Sequence, residues 1–129
     1  AVAMQPGKPQ GHGTIAGTPV ITLPGNPLSA MVSFHIFVGP AIRALGGHRE
    51  VMAPRARLST AVELDPRHDR VRYLPAVADL LRQTVSTPPR HGSHRSSVAV
   101  GTNCLIEVPV GQAQMMAGTE VEVVLFPAR

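Results

Sequence analysis

The chain has 129 residues and a mass of 13.6 kDa, the size of one domain or two small pieces. Apolar residues make up 43% and aromatics 3%, which excludes wholesale disorder and leaves few flat side chains on which nucleobases could stack. The net charge of +4 is unevenly spread. Residues 1–49 carry Lys8, Arg43 and Arg49 and no acid, whereas all eight acids lie from Glu50 onward among nine arginines.

That spread argues against a basic nucleic-acid-binding surface and suits an anionic small ligand in the first segment. Lys8 is the only lysine and stands between Gly7 and Pro9. No run of about 18 apolar residues occurs and no basic-then-apolar leader opens the chain, so neither a membrane span nor a secretory signal is expected. The single cysteine, Cys104, cannot form an internal disulfide or a Cys-rich metal site, and it fits a reducing, cytoplasmic setting.

In chain order, residues 1–5 predict a short strand that enters a rigid Pro6-Gly7-Lys8-Pro9 loop. Gly11-His12-Gly13 reads as another turn. Residues 14–16 and 20–23 predict two strands of a hairpin that turns at Gly17-Thr18-Pro19. Asn26 is a good N-cap and Pro27 suits the first helical position, so a helix is expected over 28–45, stopped by Gly46-Gly47. Arg43 complements the dipole in its last turn, and Pro40 predicts a kink. The helix is apolar over most of its circumference, with Met31, Val32, Phe34, Ile36, Phe37, Val38, Ile42 and Leu45. Such a helix is expected to be covered on several sides, by a larger α/β domain or by another chain.

After His48 the pattern switches to strands. Alternation predicts them over 55–64, 70–77, 81–87, 103–108 and 119–126, with Pro75 near an edge or bulge. Residues 88–97 read as a loop. Five short strands with turn signals between them suggest a small all-β barrel or sandwich, and the switch from helix to strands places a domain boundary near residues 47–54.

The richest constellation for chemistry is Val20 to Ala30, where a strand feeds a tight turn that opens a helix. First-turn N–H groups lack helical partners and sit at the positive end of the dipole, so they can hold a phosphate or carboxylate. Gly25 leaves room for close approach, Asn26 and Ser29 add short polar groups, and Lys8 could add a point charge. The alternative is a well-capped connection with no ligand. The glycine spacing matches neither a dinucleotide fingerprint nor a P-loop. His68, His91 and His94 have too few partners to assign a metal site. Ser93, Ser96 and Ser97 lack a nucleophile elbow. Cys104 reads as a small core residue, and Met115 and Met116 as caps on the barrel end.

Gln5-Pro6-Gly7-Lys8-Pro9, followed by Leu23-Pro24-Gly25-Asn26-Pro27-Leu28-Ser29-Ala30, resembles the paired signature of MoeA-type molybdopterin molybdenumtransferases, also found in the C-terminal part of gephyrin. Gly92-Ser93-His94, Ser96-Ser97 and Ala117-Gly118-Thr119-Glu120-Val121-Glu122-Val123 are similar to that family's C-terminal β-domain. The resemblance implies the fold class, an α/β fragment (the end of a pterin-binding three-layer α/β domain) at 1–47 followed by a small all-β barrel-like domain at 48–129. It implies molybdenum cofactor biosynthesis, in which molybdate is inserted into adenylylated molybdopterin with release of AMP. It implies Lys8 near the molybdate, Pro24, Gly25, Asn26, Pro27 and Ser29 facing the substrate, and Gln5, Arg72 and Ser96 as further substrate contacts. Gln5 departs from the second lysine of many members. The resemblance also implies Mg²⁺, with ligands upstream of this chain and none within it, and a homodimer without nucleic acid or membrane partners. A non-catalytic, gephyrin-like interaction module is the alternative.

Overall fold

The structure is a computed structural model that describes residues 4–5, 10–64, 69–88, 101–111 and 114–127. Ahead of the helix lie β1 (Met4–Gln5), β2 (Gly11–Ile15) and β3 (Thr18–Thr22). The helix comprises α1 (Pro27–Ser33), a π-helical turn (Phe34–Val38) and α2 (Gly39–Leu45). Then come β4 (Arg55–Thr60), β5 (Val71–Asp79), β6 (Thr84–Ser86), β7 (Cys104–Val108) and β8 (Glu120–Leu125).

The last five strands follow one another in space as β5–β6–β4–β8–β7, and β7 pairs back onto β5. The sheet is therefore a closed five-stranded barrel. Strand alternation fills it: Leu58, Ala76, Val85, Cys104, Ile106, Val108, Val121 and Val123 form one buried cluster. A bridge between Leu64 and Met115 brings Leu64 to the same core. Met115 packs there as expected, whereas Met116 is exposed. Burial pushes the Cys104 thiol up to about 11, so it is an inert packing group.

Two strand features have local causes. Asn103 substitutes for a strand neighbour, accepting from Ala78 N–H at 2.8 Å and donating to Ala78 C=O at 3.1 Å. Pro75 lies in β5 opposite Leu105 of β7. On the other edge of β5, β1 pairs only with Val71 and Arg72, and β6 only with Val77 to Asp79. Pro75 falls in the gap between them, where a missing ladder donor costs least.

The expected kink takes the form of a π-helical turn. Proline lacks an N–H and its ring crowds the carbonyl four residues back. Widening the turn before Pro40 relieves that crowding, and Gly39 N–H reaches Phe34 C=O, five residues back. From Pro27 to Leu45 the helix has 19 residues and is apolar enough to cross a membrane by length and composition alone, a test that core helices of soluble proteins also pass.

A second buried cluster joins this helix to the outside of the barrel. Val32 and Met4 pack with Tyr73, Leu105 and Val124, flanked by Met31, Ile36, Ala53, Val71 and Phe126. The opposite side of the helix stays open: Phe34, Phe37, Ile42 and Leu45 are exposed.

Gly11-His12-Gly13 is not a turn. It is the first half of β2, paired antiparallel with β3 in a ribbon that turns at Ala16-Gly17, a residue or two before the position the sequence suggests. Gly11 N–H donates to Thr22 Oγ1 at 2.9 Å, and the hydroxyl returns a bond to Gly11 C=O at 3.3 Å. Cross-strand partners override the local turn preference of the glycines.

Candidate anion-binding site

β3 ends at Thr22, and residues 23–26 lead straight into α1. Asn26 is extended (φ −70°, ψ 125°) and caps the helix: its Oδ1 accepts from Leu28 N–H at 3.0 Å and from Ser29 N–H at 3.4 Å. Its carbonyl accepts from Ala30 N–H at 2.9 Å. Pro27 has no N–H. Every donor of the first turn is thus engaged or absent, which corrects the expectation of open first-turn amides. An N-cap and an anion compete for the same N–H groups, and here the cap holds them.

Gly25 is exposed, and a Cβ added to it would meet nothing within 4 Å. Neither a positive φ nor close packing within the chain demands a glycine there, so the space above it is open to a visitor. Pro24 and Ser29 are half-buried beside it, and Asn26 and Pro27 are exposed.

Gln5 and Arg72 come together through backbone register, because β1 runs parallel to β5 with Gln5 opposite Arg72. Lys8 and Ser96 lie outside the described residues, as do His68, His91, His94, Ser93 and Ser97. The flanks of the segment that carries Lys8 are nonetheless fixed: Gln5 beside Arg72 on the barrel, and Gly11 beside Thr22 at the entry to the helix-start loop.

The arginines of β4 belong to an organised network on the outside of the barrel. Arg55 Nη1 lies 2.9 Å from Glu107 Oε2 and 3.7 Å from Glu122 Oε1. Arg57 lies 3.6 Å from both Glu120 and Glu122. Glu107 and Glu122 are direct cross-strand partners, so Arg55 separates two like charges. Burial alone would lower the Arg55 value, but the hydrogen bond and charge of Glu107 outweigh it and raise it. Tyr73 O–H donates to Glu107 at 3.0 Å. Period-2 alternation could have placed all these side chains outside the barrel; only the register could pair them.

Burial, reinforced by Glu107, pushes the Tyr73 phenol up to about 12. The chain has one Tyr and no Trp, so phenolate absorbance reports this group alone. Its folded value lies above the ordinary 10.0, so its contribution to stability is whole below pH 10 and is lost as pH rises from there toward 12. Absorbance titration should show no phenolate step at pH 10 while the fold persists. A step at pH 10 in folded protein would disprove this environment.

Among the described residues, no group of three His, Cys, Asp or Glu is placed to hold a metal ion. The family model described as the MoeA C-terminal region (domain IV) matches residues 55–126. The chain belongs to the MoeA family. The matched stretch is the closed barrel from the start of β4 to just past β8. Molybdopterin molybdenumtransferase 2 of Mycobacterium tuberculosis is 40% identical over 95% of this chain and 30% of its own length. Molybdopterin molybdenumtransferase 1 of the same organism is 35% identical over 95% of this chain and 31% of its own length. A crystal structure of the molybdopterin biosynthesis MoeA protein from Pyrococcus horikoshii superimposes with a TM-score of 0.81 at 28% identity, over 98% of this chain and 31% of that one. This MoeA chain thus spans about a third of the length of these relatives.

Proposed function

We propose that this chain is the C-terminal part of a molybdopterin molybdenumtransferase, which inserts molybdate into adenylylated molybdopterin and releases AMP. The observation that carries this reading is the 40% identity to molybdopterin molybdenumtransferase 2, which runs through 95% of the chain. In this reading residues 1–47 close a molybdopterin-binding α/β domain, residues 48–129 form the β-domain, and the cytoplasmic full-length protein is a homodimer.

Molybdate is a small oxyanion that asks for a few fixed cations and donors. Lys8 is assigned the ammonium, Gln5 and Arg72, which are register partners on β1 and β5, are assigned as further contacts, and Ser96 as a hydroxyl donor. The open face at Pro24, Gly25, Asn26, Pro27 and Ser29 takes the pterin side. To donate first-turn amides to a phosphate, the Asn26 side chain must first swing off Leu28 and Ser29. The described residues do not fit Mg²⁺: they hold no ligand group of three, and the sequence carries no acid before Glu50.

The test uses the full-length polypeptide that contains these residues, supplied with adenylylated molybdopterin and molybdate. Lys8→Ala should lower molybdate-dependent AMP release on the order of 100-fold while the melting temperature stays unchanged. Unchanged turnover would remove Lys8 from the mechanism. Absence of any AMP release by the unmodified protein would overturn the reading itself.

A further inference from the structure

Helix and barrel meet at one unusual ring pair. His35, in the π-helical turn, lies flat on Phe126 with ring centroids 3.8 Å apart and planes 6° from parallel. The Phe34 ring stands edge-on to it at 5.5 Å and 90°. Phe126 belongs to the barrel side: its N–H donates to Asn103 C=O at 2.9 Å, and its ring packs on the cluster around Leu105 and Val124. The stack therefore joins the π-helical turn to the residue that follows β8 at the barrel's edge.

The charged surroundings of His35 are one-sided. From α2, Arg43 bears on it, with its guanidinium tethered to Val51 C=O at 3.1 Å. On the barrel side of the same cluster the titratable group is Tyr73, hydrogen-bonded to Glu107, and among the described residues Arg43 is the charge that bears on His35. Phe126 and Pro127 do not titrate, nor do Val51, Met52, Ala53 and Pro54, nor Met4 of β1.

We propose that His35 is a proton-operated fastening between the helix and the barrel, seated on Phe126 while neutral and released when protonated. An imidazolium in this place gives up water and faces a like charge on Arg43. Its attraction to the Phe126 ring face opposes release. Burial first, and Arg43 second, hold the His35 value below the ordinary 6.5. A lowered folded value means that the fastening is whole above pH 6.5 and weakens as pH falls below it. This device stands apart from the proposed reaction and asks nothing of the substrate.

The test is an NMR titration of the 129-residue chain, with amide exchange at pH 7.5 and 5.5 corrected for intrinsic rates. The His35 ring should titrate below pH 6.5. Amides of the π-helical turn should exchange several-fold faster at the lower pH, while those of β7 and β8 do not change. His35→Phe keeps a ring on Phe126 and removes the proton, so it should abolish that pH response. Phe126→Leu should speed exchange in the turn at both pH values. A His35 midpoint at or above 6.5, or the same pH response in His35→Phe, overturns the proposal.

Discussion

Replacing Val32 by aspartate should separate the helix from the barrel without unfolding the barrel. The Val32 side chain has no solvent exposure and sits against Met4, Tyr73, Leu105 and Val124. A carboxylate there has no partner among those groups, and an unpaired buried charge costs several kcal/mol. Undocking the helix restores water to the charge at the cost of one side of one cluster. The barrel keeps its own interior, because Val32 is not part of that core. Amide exchange should therefore show lost protection in α1, the π-helical turn and β1, with β4, β7 and β8 still protected. Equal loss in all strands would mean that helix and barrel fold as a single inseparable unit.

Ile106→Ala should have the opposite reach. Ile106 is fully buried, in register with Leu74 on one side and Val123 on the other. Truncation removes buried methylenes at the middle of a closed ring of strands, where little can collapse into the space. The expected loss is about 3 kcal/mol, with a fall in melting temperature of roughly 10–20 °C for a domain of this size. Thermal unfolding followed by far-ultraviolet circular dichroism measures it. A change within a few degrees would mean that the barrel interior is loosely filled.

Much of the barrel is legible in the residues themselves. The run Val121, Val123, Val124, Leu125 is rich in β-branched residues, and it forms β8, paired with β4 on one side and β7 on the other. Closure of β7 onto β5 is not legible, because it depends on pairing between residues about thirty positions apart. Pro40 signals a break but cannot say which form relief takes. A kink and a widened turn satisfy the same steric demand, and the glycine before the proline makes the second easy. Gly11-His12-Gly13 misleads because glycines mark turns only when no neighbouring strand claims their backbone.

The site shows the same division. Asn26 and Pro27 announce the helix start correctly, and that success limits the neighbouring inference, since a capped terminus has already spent its donors. The adjacency of Gln5 and Arg72 has no local signature at all. It comes from two residue pairs of parallel strand, a contact too short to leave a pattern. Tyr73 and Glu107 escape for a related reason: each is unremarkable on its own strand and acquires meaning only opposite the other.

The two sheets leave this molecule with unequal ends. A closed ring leaves the barrel only short unpaired stretches of strand, such as β5 between β1 and β6, so it has little backbone with which to recruit a stranger. Among the described residues both margins of the β2–β3 ribbon are bare, and Ile15 at its tip is 68% exposed. An isolated pair of strands is marginal in water and gains by stacking sideways. Clumping of this chain at high concentration would accordingly begin at the ribbon, and shielding those margins would do more for its solubility than any change to the barrel surface.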